Sequence, residues 1–282
     1  MTGRRHGDHE SPGAARTMSS LGTRTTGARD PPARRAPRVR RAALPGRATA
    51  KPWKHGEREK SMATPLSADK MIAALRAEGV APVEREGWRT HNRNEAGPWG
   101  GVNGVLIHHT AGRDSLDLVW DGRSDLPGPL AHTHLAKNGT ATMTGNGRAN
   151  HAGRAARNAF DAVVAESSTH PAPSAASGTV DGNQHFYGIE IENLGDGDDP
   201  YPGAQYDKAV RWAAAICRAH GWTQHSVVGH KETSVEGKID PSFSMNSFRA
   251  KVADRLSHDA GWDPVAPAED ETAEDETGVL DG

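Results

Sequence analysis

Histidine and carboxylate side chains stand where the sequence predicts the ends of β-strands. The segment GVLIHHTAG closes a short apolar run with His108 and His109, and SVVGH ends with His230. Asp240 follows in GKIDPSF, and Lys238 stands two residues before it. Two histidines and one carboxylate form a catalytic zinc set that leaves the fourth position to water. On an extended segment Lys238 and Asp240 point the same way, so such a site would have a cation beside its carboxylate ligand.

The two adjacent histidines cannot both reach one site if the strand runs straight through. Successive side chains on a strand point to opposite faces, so one of His108 and His109 would face the site while the other packs or caps. The spacing alone leaves the choice open. A single histidine on a strand is more often a hydrogen-bonded core residue than a metal ligand.

A pair of glutamates marks another predicted strand, in the segment YGIEIEN. Glu190 and Glu192 alternate there with Ile189 and Ile191, which places both carboxylates on one face. A carboxylate on a sheet face is costly unless it is paired or functional. The ordinary alternative is a solvated face.

The elements that must position these residues alternate between helices and strands. Apolar periodicity and capping signals predict helices at about 67–78, 115–122, 206–220 and 246–256. Strands are predicted at 105–107, at 186–193 and in SVVGH, with a two-residue hairpin turn at Asn138-Gly139. The segment STHPAPSAASGTVDGNQ is expected to be a flexible loop. This order predicts an α/β domain with a mixed central β-sheet flanked by helices.

The composition predicts one folded domain between two biased ends. The chain has 282 residues, 35% of them hydrophobic, and a formal net charge of −2. This small net charge combines an Arg-rich segment, 1–61, with an acidic tail, 263–282. Both are expected to be disordered, and 1–61 could lie upstream of a true start at Met62. The folded domain should span 62–262.

Several classes of protein are disfavoured. The single cysteine, Cys217, allows no intramolecular disulfide and no cysteine-based zinc site. No segment approaches the roughly 20 apolar residues of a membrane helix, and no apolar signal-peptide core follows the N-terminal arginines. We expect a monomer that is made in the cytoplasm without membrane insertion. Arg-rich segments can bind nucleic acid, but an obligate nucleic-acid partner is not expected.

Five segments occur together in an order that is typical of one family: GVLIHHTAG, AHTHLAKNGT, GRANHAG, YGIEIEN and GHKETSVEGKIDPSF. From about Gly101 to Leu256 the chain resembles the type 2 N-acetylmuramoyl-L-alanine amidases, a superfamily that includes the peptidoglycan recognition proteins and phage lysozyme-type amidases. The preceding helix and Trp-rich loop, from Ser67 to Gly100, resemble the lead-in of actinobacterial phage and prophage members.

The resemblance implies a specific ligand set for a zinc ion (Zn2+). The first histidine of the His-His-Thr-Ala run is the ligand in that family, which is His108 here. His230 and Asp240 would complete the set. His109 should then turn into the fold, as the strand geometry requires.

The resemblance also implies the catalytic groups. Glu190 would be the general base, and Lys238 would stabilise the oxyanion. Some members carry a catalytic tyrosine early in the strand before the Asn-Gly turn, where this chain has Ala131. The chain should therefore belong to the branch that uses the glutamate and the lysine, although His132 or His134 could partly replace the tyrosine.

The implied substrate is the amide between N-acetylmuramic acid and L-alanine in peptidoglycan. His151, His132 and Trp120 are expected to line the substrate groove. The enzyme would act at the bacterial cell wall after release, through a holin if it is phage-encoded. The alternative is a recognition module that has lost a ligand and binds peptidoglycan without cutting it.

Overall fold

The computed structural model describes residues 63–264. The predicted extension 1–61, the proposed start at Met62 and residues 265–282 of the predicted tail lie outside the described residues. Among the described residues, no helix combines the length and the apolar composition needed to cross a membrane.

The described range forms seven α-helices and ten β-strands. The helices are α1 (Ala68–Ala77), α2 (Leu116–Asp121), α3 (Arg157–Val164), α4 (Gly182–His185), α5 (Gly203–His220), α6 (His230–Thr233) and α7 (Met245–Leu256). The strands are β1 (Val83–Glu84), β2 (Gly104–His109), β3 (Gly122–Arg123), β4 (Leu126–Pro127), β5 (Thr133–Leu135), β6 (Ala141–Met143), β7 (Arg154–Ala156), β8 (Thr179–Asp181), β9 (Phe186–Ile191) and β10 (Val227–Gly229).

Six strands form the central sheet in the order β1-β6-β5-β9-β2-β10. Neighbouring strands are parallel except for the β5–β6 hairpin, which is antiparallel. Two small antiparallel sheets, β3–β4 and β7–β8, lie outside it. The prediction of a mixed central sheet flanked by helices is confirmed.

Alternation along β2 and β9 divides their side chains between two faces. One face joins the core built with α5 and carries fully buried apolar side chains: Val105, Ile107, Ile189 and Ile191. On the other face Leu106 and Phe186 pack with Phe160 of α3. His108 and Glu190 are register partners on the adjacent strands. Because side chains alternate, both lie on the face of Leu106 and not on that of Ile107.

The helices on the α5 side are tied together by one buried carboxylate. Arg218 of α5 and Arg255 of α7 each donate to an oxygen of Glu78, which caps the C-terminus of α1. Glu78 is fully buried, so these bonds offset the cost of removing its charge from water. Glu78 thus links α1, α5 and α7 on one side of the sheet.

The hairpin turn is longer than the sequence predicts. Ala136 N donates to Thr140 O over 2.9 Å, so three residues form the loop instead of two. Asn138 Oδ1 accepts from Thr140 N, and Gly139 takes a positive φ of 84°. A three-residue loop with a glycine in this conformation is the next most common hairpin connection.

The predicted flexible loop is wrong for its C-terminal part, which forms β8 and α4. Strand β8 pairs with β7, and its three residues, of which only Val180 is buried, are too few to reveal a strand from the sequence. The start of the loop is held by the side chain of Asn158, which donates to Ala172 O and accepts from Ser174 N. Helix α3 and strand β1 were not predicted either.

The division between the two faces can be tested on β2. Ile107→Ala should lower the free energy of unfolding by roughly 2–5 kcal/mol, because it leaves a cavity in the core against α5. Val83→Ala on β1, where the side chain is 51% exposed, is the matched control and should cost less than about 0.5 kcal/mol. Chemical denaturation measures both. An Ile107→Ala protein as stable as the control would mean that this face of β2 does not carry the core.

Candidate functional site

Three buried side chains meet beyond the carboxyl ends of β2 and β10. His108 Nδ1 lies 3.1 Å from His230 Nδ1 and 3.1 Å from Asp240 Oδ2. The third side of this triangle, His230 Nδ1 to Asp240 Oδ2, is 3.2 Å. Ligand atoms bound 2.0–2.1 Å from a tetrahedral zinc ion lie about 3.3 Å apart. The donor types and their spacing therefore fit one metal ion, and the cluster could hold it.

Backbone contacts fix Asp240 against His230. Strand β10 ends at Gly229, and His230 is the first residue of the short helix α6. Lys231 N donates to Asp240 O over 2.8 Å, and its ammonium group donates to Pro241 O. The sequence predicts a strand running into His230, whereas the histidine lies in a helical turn just beyond the strand.

The protonation states of the cluster suit metal binding. Burial lowers the pKa of His108 to about 4, with a further contribution from His230, so His108 is neutral near pH 7. Burial alone would raise the pKa of Asp240, but the imidazole groups of His108 and His230 beside its Oδ2 hold it well below its usual value. A metal site needs this combination of neutral imidazole and ionised carboxylate.

His109 lies outside the cluster. Its Nδ1 is hydrogen-bonded to Tyr201 Oη over 3.0 Å, and its ring packs on Gly195, where a Cβ would come within 2.5 Å of Nε2. The alternation along β2 thus separates the two histidines, and only His108 contributes to the triangle.

The cluster borders a cleft of about 470 Å³, which Glu190 and Lys238 also line. Glu190 Oε2 is buried and has no hydrogen-bond partner within residues 63–264. Burial, followed by the nearby charge of Asp240, raises the pKa of Glu190 well above its usual value, and Lys238 opposes this rise. The cleft therefore contains a carboxyl group poised to exchange a proton, with an exposed ammonium group at its edge.

Glu192 has a different environment from Glu190. Its Oε2 lies 3.7 Å from His134 Nε2, which is 3.0 Å from Ser115 Oγ, and it is not among the residues that line this cleft. Burial lowers the pKa of His134 to about 4, so this histidine is neutral near pH 7.

The structure does not bring two of the three predicted groove residues to the cleft. His132 is buried, donates through Nε2 to Gly147 O and accepts through Nδ1 from Gly188 N. Trp120 packs against His91 with tilted rings, whose centroids are 4.0 Å apart, beneath the guanidinium group of Arg85. Neither residue lines this cleft, and the groove role of each stays a prediction.

His151 does border the cleft, but its ring is almost wholly buried. Nδ1 lies 3.0 Å from His108 Nε2, and Nε2 donates to Phe186 O over 3.0 Å. Burial, and then the proximity of His108 and His132, holds the pKa of His151 well below its usual value.

Sequence reasoning missed two apolar residues at the rim of the cleft. Leu126 of β4 is 37% exposed and Ile239 is 69% exposed. The sequence does contain a signal for Ile239, because this isoleucine stands between the polar residues Lys238 and Asp240. It contains no such signal for Leu126, because only the β3–β4 hairpin brings this residue to the cleft.

Comparisons with known proteins point to one family. The model of the family described as N-acetylmuramoyl-L-alanine amidase matches residues 98–243. The endolysin amidase LysCS from Clostridium intestinale is 17% identical, with 54% of this chain and 83% of that chain covered and a TM-score of 0.37. AmiD from E. coli, in complex with a muramoyl-peptide substrate, is 20% identical, with 60% and 65% covered and a TM-score of 0.40. A comparison with curated proteins gave no match.

The separation of the two adjacent histidines leads to a metal-binding test. His108→Ala and His230→Ala should each abolish tight binding of one Zn2+, because each removes one of the three ligands. His109→Ala should still bind one ion, since His109 contacts Tyr201 instead. Metal analysis after dialysis measures the stoichiometry. A metal-free His109→Ala protein together with a metal-loaded His108→Ala protein would reverse the assignment.

Proposed function

Since the chain belongs to the N-acetylmuramoyl-L-alanine amidase family, we propose that it uses one zinc ion to hydrolyse the amide between N-acetylmuramic acid and L-alanine in peptidoglycan. The observation that carries this proposal is the triangle of His108, His230 and Asp240 at a cleft that Glu190 and Lys238 also line. The place of action is the bacterial cell wall, where this substrate lies.

The donor set favours zinc among the common metal ions. Two imidazole nitrogens and one carboxylate oxygen suit zinc, and three protein ligands leave a position open for the reaction. When bound there, zinc supplies Lewis acidity that polarises the scissile carbonyl and acidifies water toward a pKa of about 7.

Glu190 moves the proton in this proposal. The hydrolytic water adds its oxygen to the carbonyl carbon and gives one proton to Glu190. The carboxyl group then passes that proton to the nitrogen of L-alanine as the carbon–nitrogen bond breaks. The position of Glu190 beside His108 supports this role, and its raised pKa suits a group that must both take and give a proton.

Lys238 stabilises negative charge on the carbonyl oxygen. It lies two residues before Asp240, at the cleft, and its ammonium group needs no proton transfer to act. A cation aimed at a developing oxyanion lowers the barrier more than it improves binding of the substrate, because the charge is largest in the transition state.

A non-catalytic recognition module would explain the cleft but not the site. In such a module a metal ligand is missing, whereas this chain has a suitable side chain at each of the three ligand positions and a carboxyl group beside them.

Mass spectrometry of purified peptidoglycan after incubation with the zinc-loaded protein tests the reaction. We expect stem peptides that begin with a free L-alanine amine, and glycan strands that carry free lactyl carboxylates. Cleavage within the glycan or between stem-peptide residues would contradict the proposal. So would an absence of products from folded, zinc-loaded protein.

Two nearly isosteric variants separate catalysis from metal binding. Glu190→Gln removes the base and Lys238→Met removes the cation, so each should lower kcat by about 100-fold or more. Both should bind one zinc ion and sediment with insoluble peptidoglycan as the wild type does.

Glu192→Gln is the matched control on the same strand. It should cost little activity, because Glu192 faces His134 and not the cleft. An inactive Glu192→Gln protein with an active Glu190→Gln protein would mean that the base has been misassigned.

A further inference from the structure

We propose that His151 is a positioning residue of the metal site and not a substrate contact. In this account it accepts a hydrogen bond from His108 Nε2 and so holds His108 in the tautomer whose Nδ1 is free to bind metal. The proposal rests on the zinc site proposed above.

A backbone carbonyl sets the direction of the hydrogen bonds. Phe186 O can only accept, so the proton on His151 must sit on Nε2, 3.0 Å away. A neutral imidazole has one N–H group, which leaves Nδ1 of His151 as an acceptor. The atom it faces at 3.0 Å, His108 Nε2, must then be the donor.

This order leaves the lone pair of His108 on the correct atom. With its proton on Nε2, neutral His108 has an unprotonated Nδ1, the atom that faces His230 and Asp240. Metal-bound histidines commonly donate their other N–H to a fixed acceptor, which sets the tautomer and the ring orientation. Here the acceptor is the imidazole of His151, whose own tautomer is set by its hydrogen bond to Phe186 O.

The sheet is shaped to admit the ring of His151. Gly188 stands on β9 between Phe186 and Glu190, and a Cβ at this position would come within 2.5 Å of His151 Nδ1. A glycine inside a strand often marks a place where another group approaches closely. Any larger residue at position 188 would push the ring away from His108.

A second device fixes the backbone of His151. Asn183 Oδ1 accepts from His151 N at 2.9 Å, Ala152 N at 2.8 Å and Gly153 N at 3.3 Å. The residue is therefore held by its main chain as well as by its ring.

These contacts leave His151 without a free ring nitrogen. One ring nitrogen is bound to His108 and the other to Phe186 O, so neither can bond to a substrate that enters the cleft. The predicted groove role is therefore replaced by a role that acts through His108.

The test measures zinc affinity of the full-length protein by competition with a chromogenic chelator. His151→Ala should weaken zinc binding by roughly 10–100-fold. His151→Gln keeps an acceptor oxygen and should recover part of that loss. Gly188→Ala should weaken binding as well, because its methyl group displaces the ring. His91→Ala removes a histidine that bonds to Thr144 O away from the cleft, and should leave the affinity unchanged.

A second readout follows the hydrogen bond from His108 to His151 directly. In nitrogen-15 NMR of the zinc-loaded wild type the Nε2 proton of His108 should be protected from exchange with water, and His151→Ala should remove that protection. A merely structural role for His151 would not move this signal. If His151→Ala does not fold, the wild-type spectrum alone still tests the proposal.

The outcomes separate this inference from the proposed function. A wild type that binds no zinc would overturn the zinc site itself. A wild type that binds zinc, with His151→Ala, His151→Gln and Gly188→Ala equally tight, would overturn only the role of His151. An Nε2 proton of His108 that exchanges rapidly with water in the zinc-loaded wild type would also overturn that role.

Discussion

The site depends on the parallel pairing of β2 with β9. Their register sets His108 beside Glu190, and the alternation of side chains turns both away from the apolar face that packs on α5. A shift of β2 by one residue against β9 would put His109 in place of His108 beside Glu190. The buried isoleucines therefore do more than stabilise the fold, because their burial fixes which of two adjacent histidines meets His230 and Asp240, although both line the cleft.

Charge and burial are balanced around this pairing. Asp240 is ionised beside the imidazole groups of His108 and His230, whereas burial keeps His108 and His151 neutral. A divalent cation among the ligands would offset the buried charge of Asp240 and favour the ionised form of Glu190. A bound metal ion would thus both polarise the substrate and favour the ionised form of Glu190 that a general base needs.

The sequence predicts the parts of this site that depend on local pattern. Strand alternation separates His108 from His109, and the family resemblance of five segments in order leads to the proposed ligands and the proposed base. Contacts between segments distant in the chain were not predictable. Trp120 packs against His91, and the ring of His132 bonds to Gly147 O and Gly188 N. No local pattern encodes these pairings, and the strand β8 is too short for its alternation to be recognised.

A zinc-bound crystal structure with anomalous scattering data recorded at the zinc absorption edge tests the central claim most directly. The account predicts one ion bound by Nδ1 of His108, Nδ1 of His230 and Asp240, with His109 still against Tyr201. An ion held by His109, or by Nε2 of His108, would contradict both the role of the β2–β9 register and the direction of the hydrogen bonds through His151.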